Sequence, residues 1–426
     1  MRVFLLASLF VFGACESVRA FCGFYVAQSG ENLVNHASKV VLARAGDRTS
    51  ITMSSDIAGD PKEFALVVPV PTVIKREQVR LVQSQTVNHL EQFSVPRLVE
   101  YPDPDPCPPP EDLRSGGLYP PSAPMAMAPP AMAKPVGGVR VEESYTVGEY
   151  DIQVLAADNG GGLLTWLNQN GYKVPRGAEP TIASYIRQNM HFFVARVNLA
   201  RQQRRGGGEN FLRPINVEYS SPKFMLPIRL GTVNAEGPQE MIVLALTARG
   251  RVETTNYRTI RMPTGSELPL FVKGDFARFY QAAFDRQVSD AEGKAVFLEY
   301  AWDMSQCDPC SAPPLSRDEL VELGATWNPV QQGRYQQGGA FVTRLHMRYD
   351  REHFPEDLVL QETADRENYQ ARYIVREPWK GPAACEAGKR YLAGLPARSA
   401  AQARSVLELT DWSFTDVSQW MEAYGR

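Results

Sequence analysis

The chain of 426 residues lacks several features that would indicate a common class of function. It has no excess of positive charge, because 45 Lys and Arg residues stand against 48 Asp and Glu residues and the net charge is −3. Proteins that hold nucleic acid usually carry a basic excess, so the composition argues against that partner. Past the N-terminus no segment approaches about 18 consecutive apolar residues, and no transmembrane helix is predicted.

Sequence motifs with a known catalytic mechanism are also missing. The chain has only five histidines and no H-E-x-x-H sequence, so the common zinc-protease helix is not encoded. No G-x-S-x-G sequence occurs, which excludes the usual serine-hydrolase elbow. Asp103 and Asp105 have the spacing of calcium ligands, but prolines stiffen the segment and the required Gly and Glu do not follow. The sequence therefore predicts no catalytic residue, no metal site and no cofactor.

The first twenty residues have the pattern of an export signal. Arg2 supplies a short positive region, an apolar run of about 12 residues follows, and small or aliphatic residues precede a cleavage site after Ala20. The run is too short to span a bilayer as a helix, which takes roughly 20 residues. We expect residues 1–20 to be a signal peptide, and the mature chain to be periplasmic or extracellular and to begin at Phe21.

A lipid anchor is the competing interpretation of this segment. Gly13-Ala14-Cys15 resembles the end of a bacterial lipoprotein box, although Phe12 stands where that motif prefers Leu. Lipidation of Cys15 would leave the protein peripherally anchored to a membrane.

One stretch of the chain is unusually rich in proline. Of the 32 prolines, 12 lie in the 34 residues from Pro102 to Pro135. Proline has no backbone N–H and its φ angle is fixed, so no regular helix or sheet should persist there. We interpret residues 101–138 as an exposed linker.

The apolar periodicity on both sides of this linker predicts an α+β fold. Strand patterns at Ser38–Arg44, Arg48–Ser54 and Phe64–Val70 predict an antiparallel β-meander, and a helical stripe over Lys75–Phe93 predicts a helix packed on it. Strands flank helices in the rest of the chain. After the signal peptide, the predicted organisation is a β-rich unit with one helix at 21–100, the linker at 101–138, an α+β unit at 139–262, and a C-terminal α+β unit ending in helices at 263–426.

Five segments together resemble a known bacterial family. They are Cys22-Gly23-Phe24-Tyr25-Val26, the run from Phe64 to Pro71, Asp103-Pro104-Asp105-Pro106-Cys107, the stretch from Trp302 to Cys310, and Arg344-Leu345-His346-Met347-Arg348-Tyr349. This combination resembles the secreted proteins grouped as domain of unknown function 2330, over nearly the whole mature chain. The resemblance implies secretion but no activity. Some family members are anchored by a C-terminal hydrophobic segment, whereas this chain ends in an amphiphilic one.

Cysteines in an exported chain usually form disulfides. The candidates are Cys22, Cys107, Cys307, Cys310 and Cys385, an odd number whose connectivity the sequence does not determine. Cys307 and Cys310 form a C-x-x-C pair, which a redox centre could use. A structural role is favoured, because two prolines separate the pair from the next helix start. A zinc site would need two further ligands from the other three cysteines.

The strand from Arg344 to Asp350 carries the most suggestive polar array. Its alternation places Arg344, His346, Arg348 and Asp350 on one face and apolar residues on the other. Two guanidinium groups beside an imidazole could hold a carboxylate or sulfate ligand. We favour the alternative, a solvated sheet face whose charges pair with their neighbours.

Taken together, the sequence predicts an exported bacterial envelope protein that acts as a non-catalytic binding or structural module, with an unknown protein or envelope partner. The first alternative is an envelope enzyme, either a thiol-disulfide oxidoreductase using Cys307 and Cys310 or an unidentified hydrolase. The second is a sensor or adhesion module that reaches its partner with the proline-rich arm.

Overall fold

The computed structural model describes residues 24–27, 34–58, 64–107, 139–172, 174, 177–198, 201, 212–233, 235, 237–306, 312–327 and 339–424. Helices and strands are mixed along the chain and the strands form several sheets, so the predicted α+β class is confirmed. The predicted signal peptide and most of the predicted linker lie outside these ranges.

The strands are numbered in chain order. They are β1 (Phe24–Ala27), β2 (Val34–Ala45), β3 (Arg48–Ala58), β4 (Phe64–Val70), β5 (Val79–Leu81), β6 (Arg97–Pro102), β7 (Val139–Val147), β8 (Tyr150–Ala157), β9 (His191–Val197), β10 (Ile215–Ser220), β11 (Met225–Leu226), β12 (Gln239–Thr247), β13 (Val252–Thr254), β14 (Arg258–Arg261), β15 (Glu267–Leu268), β16 (Ala295–Asp303), β17 (Phe341–Tyr349), β18 (Leu358–Glu362), β19 (Tyr369–Gln370) and β20 (Arg372–Glu377).

The helices are numbered in the same way. They are α1 (Ser84–Ser94), α2 (Gly160–Gln169), α3 (Ala178–Ile186), α4 (Phe276–Asp290), α5 (Arg317–Glu322), α6 (Glu386–Leu409) and α7 (Phe414–Tyr424), with short 3-10 helices at Arg76–Gln78, Gly231–Val233 and Leu270–Asp275. Within the described residues, no helix is both long and apolar enough to cross a membrane.

A nine-stranded sheet forms the centre of the molecule. Its order is β14-β16-β17-β12-β2-β3-β10-β5, and β19 pairs with β16 beside this path. The predicted hairpin is present, with Ala45 opposite Arg48 and Gly46 in the turn at a φ of 57°. Strands from all three predicted units lie in this sheet, so these ranges share one sheet and do not each close their own. Which strands join a sheet depends on contacts between distant parts of the chain, and local sequence patterns do not indicate these contacts.

Strand β4 differs from the predicted meander. It follows β3 along the chain but pairs with β1 and β9, in a second sheet of order β1-β4-β9-β8-β7. The physical reason is that β4 is apolar on both faces. Leu66 and Val68 enter one buried cluster, while Ala65 and Val67 enter another. A strand of this kind lies between two layers of core.

The predicted helix over Lys75–Phe93 is divided in the structure. Val79–Leu81 pairs with β10 as β5, and the helix begins only at Ser84. Within α1, Thr86, Leu90 and Phe93 are buried as the helical stripe predicts. The helix prediction is wrong for the first part of the stripe, because its apolar residues are also compatible with an edge strand.

The two larger sheets pack face to face between layers of helices. In β2, Val40 and Leu42 enter the core shared with the five-stranded sheet, while Val41 and Ala43 enter a cluster with residues of α1 and α5. Helices α2 and α3 cover the far face of the five-stranded sheet. Near the C-terminus, α4, α6, α7 and β20 enclose a separate cluster.

Candidate functional site

The polar face predicted for β17 is formed as expected. Leu345 and Met347 lie in the core between the sheets. Arg344 and His346 point the other way, toward α4, where the ring of Phe284 stacks on the imidazole of His346 with the centroids 3.7 Å apart and the planes at 4°. The alternation is therefore confirmed, and α4 covers the charged side.

The expectation of a solvated face is wrong. Arg344 is 5% exposed, His346 is 8% exposed and Glu299, their acidic partner on β16, is 0% exposed. The reason is tertiary, because α4 packs across this part of the sheet. The predicted pairing of these charges with their neighbours is present in the structure.

A bulge in the sheet accompanies the placement of Glu299. Strand β16 pairs Leu298 with Leu345 and Tyr300 with Arg344, so Glu299 is an extra residue without an opposite partner. Bulges re-aim a side chain locally. The carboxylate of Glu299 reaches Arg344 and His346, which are consecutive residues on the charged face of β17.

Three side chains hold this buried carboxylate. The Nε of Arg344 donates to Oε2 over 2.6 Å, the Nδ1 of His346 lies 2.7 Å from Oε1, and the hydroxyl of Tyr280 on α4 donates to Oε1 over 2.5 Å. The anion bound by Arg344 and His346 is thus supplied by the protein itself.

A second carboxylate completes the cluster. Glu240 on β12 lies directly opposite Arg348 and accepts a hydrogen bond from its Nε over 3.0 Å. Oε2 of Glu240 is 3.6 Å from Nε2 of His346, so the imidazole has a carboxylate on each side. Asp285 on α4 also pairs with Arg348. All three predicted ligand-binding residues therefore have carboxylate partners within the chain.

These contacts fix the charge state of the cluster. Burial by itself raises the pKa of Glu299, but the charges of His346 and Arg344 and the hydrogen bonds from His346 and Tyr280 lower it to about 2. For Glu240, the effect of burial is likewise outweighed by His346 and Arg348, and the pKa is about 2. Burial lowers the pKa of His346, yet Glu299 and Glu240 outweigh this and raise it. At neutral pH Glu299 and Glu240 are therefore ionised and form ion pairs with Arg344 and Arg348.

Only two of the five cysteine candidates lie within the described residues. Cys107 and Cys385 form a disulfide with their Cα atoms 6.0 Å apart, whereas Cys22, Cys307 and Cys310 lie outside the described residues. Sulfurs joined in a disulfide cannot serve as zinc thiolates with Cys307 and Cys310. No group of three potential metal-binding side chains occurs in the described part of the chain. The structural role of Cys307 and Cys310 stays a prediction, and the redox role stays its alternative.

The disulfide belongs to a larger attachment between β6 and α6. Cys385 caps α6, where its Sγ accepts a hydrogen bond from the N–H of Gly388. Next to it, buried Asp103 accepts a hydrogen bond from the hydroxyl of Tyr391 over 2.7 Å and pairs with Arg398 at 2.6 Å. In the sequence, the spacing of Asp103 suggests only a calcium ligand, an interpretation that the surrounding prolines argue against. Its structural role depends on residues almost 300 positions away, which no local spacing indicates.

A cleft near the C-terminus is an open candidate site. It encloses about 330 Å³ and is lined by Phe271, Gly274, Asp275, Arg278, Trp412, Trp420, Ala423 and Tyr424. We refer to these eight residues as the aromatic cleft. Sequence reasoning missed it, and the only available signal was the amphiphilic segment Phe414–Arg426.

Local capping interactions position the residues of the aromatic cleft. Asp275 caps α4 by accepting the backbone N–H of Arg278, which places Arg278 in the first turn. Thr410 closes α6 through a hydroxyl bond to the carbonyl of Val406, and Ser413 bonds with Asp416 at the start of α7. The short link between the two helices carries Trp412.

The aromatic rings form a corner beneath a cation. The ring centroids of Trp412 and Trp420 are 4.9 Å apart and their planes meet at 81°, while Phe271 lies 5.6 Å from Trp420. The guanidinium carbon of Arg278 lies 4.6 Å from the ring centroid of Trp420 and 5.4 Å from that of Trp412. No carboxylate of the described residues forms an ion pair with Arg278.

With this geometry established, the chain can be compared with known proteins. A family model described as an uncharacterized protein conserved in bacteria (DUF2330) matches residues 16–361. The chain belongs to this family. The resemblance inferred from the sequence motifs is confirmed. The DUF2330 match covers the buried charge cluster and Arg278, and it ends before Trp412 and Trp420. No curated protein and no solved structure matches the chain.

Proposed function

We propose that this DUF2330 protein is an exported protein of the bacterial envelope that binds a ligand in the aromatic cleft and does not catalyse a reaction. Three observations support export. Residues 1–20 have the pattern of a signal peptide, the family is conserved in bacteria, and Cys107 and Cys385 form a disulfide, a bond typical of oxidising compartments.

Binding is supported mainly by the contrast between two sites that contain charged residues, the buried cluster around Glu299 and the aromatic cleft. Catalytic groups need perturbed pKa values in a place that substrate can reach. The cluster around Glu299 has the perturbed pKa values but is buried and already neutralised by its own partners. The aromatic cleft is open, and it combines apolar walls with few polar groups, as small-molecule binding sites do.

A ligand-observed NMR screen tests this proposal. The probes are a library of small ring compounds, and the proteins are the mature chain, Trp420→Leu and the control Trp327→Leu. Trp327 is a tryptophan packed elsewhere, against the cluster with α1 and α5. We expect compounds that bind the parent and Trp327→Leu but not Trp420→Leu. Binding that is equal in all three proteins, or no binding at all, would overturn the proposal.

A further inference from the structure

We propose that the ligand of the aromatic cleft is a carboxylate carried on a single aromatic ring, either a free aromatic acid or the C-terminal residue of a peptide ending in an aromatic side chain. The inference rests on the proposed function and adds the chemistry of the ligand. It depends on the size of the cleft, the state of Arg278 and the position of Asp275.

The size and lining of the cleft suit one ring. Its volume of about 330 Å³ is at the lower end of the roughly 300–1,000 Å³ usual for small-molecule sites. Phe271, Trp412, Trp420 and the methyl group of Ala423 form apolar walls, and the ring of Tyr424, 48% exposed, lies at the edge. Flat rings pack against such walls in offset or edge-to-face arrangements.

Arg278 supplies the positive charge for an anion. Its guanidinium group lies over two indole rings, which restrains the group without using its N–H donors. Another arginine of the same helix behaves differently, because half-buried Arg286 is paired with Asp290 and Asp411. Among the described residues Arg278 has no carboxylate partner, and a guanidinium group held in place in this state is prepared for the two parallel hydrogen bonds of a carboxylate.

Asp275 limits the charge of the ligand. Asp275 is a lining residue of the cleft, three residues before Arg278, and its carboxylate accepts the backbone N–H of that residue. A ligand anion that reaches Arg278 is repelled by Asp275. The site therefore favours one negative charge over the two of a phosphate monoester.

Titration calorimetry with four probes tests the ligand class on the mature full-length chain. The probes are N-acetyl-L-phenylalanine, its neutral amide, N-acetylglycine and benzoate. We expect N-acetyl-L-phenylalanine to bind at least roughly tenfold more tightly than its amide, because only the acid makes charge-assisted bonds. N-acetylglycine should show no binding, since it lacks the ring. Benzoate distinguishes the two sources of the ligand. Binding equal to or tighter than that of N-acetyl-L-phenylalanine indicates a free aromatic acid, and weaker binding indicates a peptide terminus.

Three variants assign the effect to individual groups. Arg278→Gln should abolish the preference for the acid over the amide. Asp275→Asn should bind the acid roughly fivefold more tightly, because Asn keeps the helix cap and removes the repulsion. The control Arg286→Gln removes a paired arginine from the same helix and should bind like the parent.

The outcomes separate this inference from the proposed function. Equal binding of acid and amide, both lost in Trp420→Leu, would leave the cleft as a binding site and overturn the anionic ligand. Binding of neither compound would overturn the ligand class, while the NMR screen with Trp420→Leu judges the cleft independently. Weaker binding of the acid to Asp275→Asn would also contradict the inference.

Discussion

At the scale of single residues, the buried charge cluster depends on Glu299. Its carboxylate is fully buried and neutralises Arg344 and His346, while Nη1 of Arg344 has no hydrogen-bond partner among the described residues. Glu299→Gln would leave Arg344 without its anion in the protein interior and His346 with only the carboxylate of Glu240. We expect the free energy of unfolding in urea to fall by about 3–5 kcal/mol.

Glu408→Gln is the matched control for this substitution. Glu408 is exposed on α6, so its replacement should change the free energy of unfolding by less than about 0.5 kcal/mol. Equal stability of the two variants would show that the cluster does not stabilise the fold.

The same cluster predicts a dependence of stability on pH. The pKa of Glu299 in the folded protein is about 2, below its ordinary value of 4.5, so the unfolded chain binds its proton more tightly. The stability that Glu299 contributes is present above about pH 4.5 and is lost as the pH falls toward 2, a change of roughly 3 kcal/mol. His346 acts in the opposite sense, because its raised pKa gives stability that is full below about pH 6.5 and declines as the pH rises through the folded value.

Urea unfolding between pH 5 and pH 2 measures the acid limb of this dependence. Glu240→Gln should make the limb shallower, since Glu240 also has a pKa lowered to about 2 in the folded protein. The control Glu408→Gln should leave the slope unchanged. A parent whose unfolding free energy stays constant over this range would contradict the assignment of charges.

The sequence predicts the basic residues of this cluster on β17 but not the position of Glu299. Arg344, His346 and Arg348 are separated by two positions, so their common face follows from strand geometry. Glu299 lies 45 residues before Arg344, and its reach depends on a bulge and on the covering helix α4. Neither feature has a signature in the local pattern.

At the scale of elements, helix α6 is attached mainly at its two ends. Of its 24 residues, Gly388 near the start and Val406 and Leu409 near the end are the buried ones. The disulfide and the ion pair of Asp103 with Arg398 hold the first half against β6. An amphipathic helix usually gains its stability from an apolar face, and this half has little of one.

Replacing Cys107 and Cys385 by Ser should therefore release the first half of α6. We expect a loss of about 2–5 kcal/mol in the free energy of unfolding, as for other native disulfides. Hydrogen exchange should show faster exchange in the first turns of α6 and unchanged protection near Val406. Unchanged exchange throughout α6 would mean that the Asp103 contacts suffice to hold it.

Elements whose ends are specified by neighbouring residues can be predicted from the sequence alone. Ser316 and Glu319 form the reciprocal cap of α5 that their spacing indicates, and Asn159 caps α2. Strands β4 and β5 were placed wrongly because their partners β9 and β10 lie more than a hundred residues away along the chain. The aromatic cleft was missed for the same reason, since Arg278 and Trp420 meet only after α6 and α7 pack on α4.

At the scale of the whole molecule, the proposed export would define where the protein works. We predict that cells release a chain beginning at Phe21, because residues 1–20 carry the cleavage pattern of a signal peptide. Intact mass spectrometry of the exported protein checks this. A chain beginning at a lipid-modified Cys15 would contradict it and place the protein on a membrane.

The most direct test of the central claim, binding in the aromatic cleft, uses the indole N–H signals of the protein. The chain has six tryptophans, and two of them line the cleft. Titration of the nitrogen-15-labelled mature chain with N-acetyl-L-phenylalanine should shift the indole signals of Trp412 and Trp420 and leave the other four in place, with each signal assigned by a single Trp→Phe substitution. Shifts confined to the other tryptophans would contradict binding in the aromatic cleft, and no shift at saturating concentration would contradict the proposed ligand class.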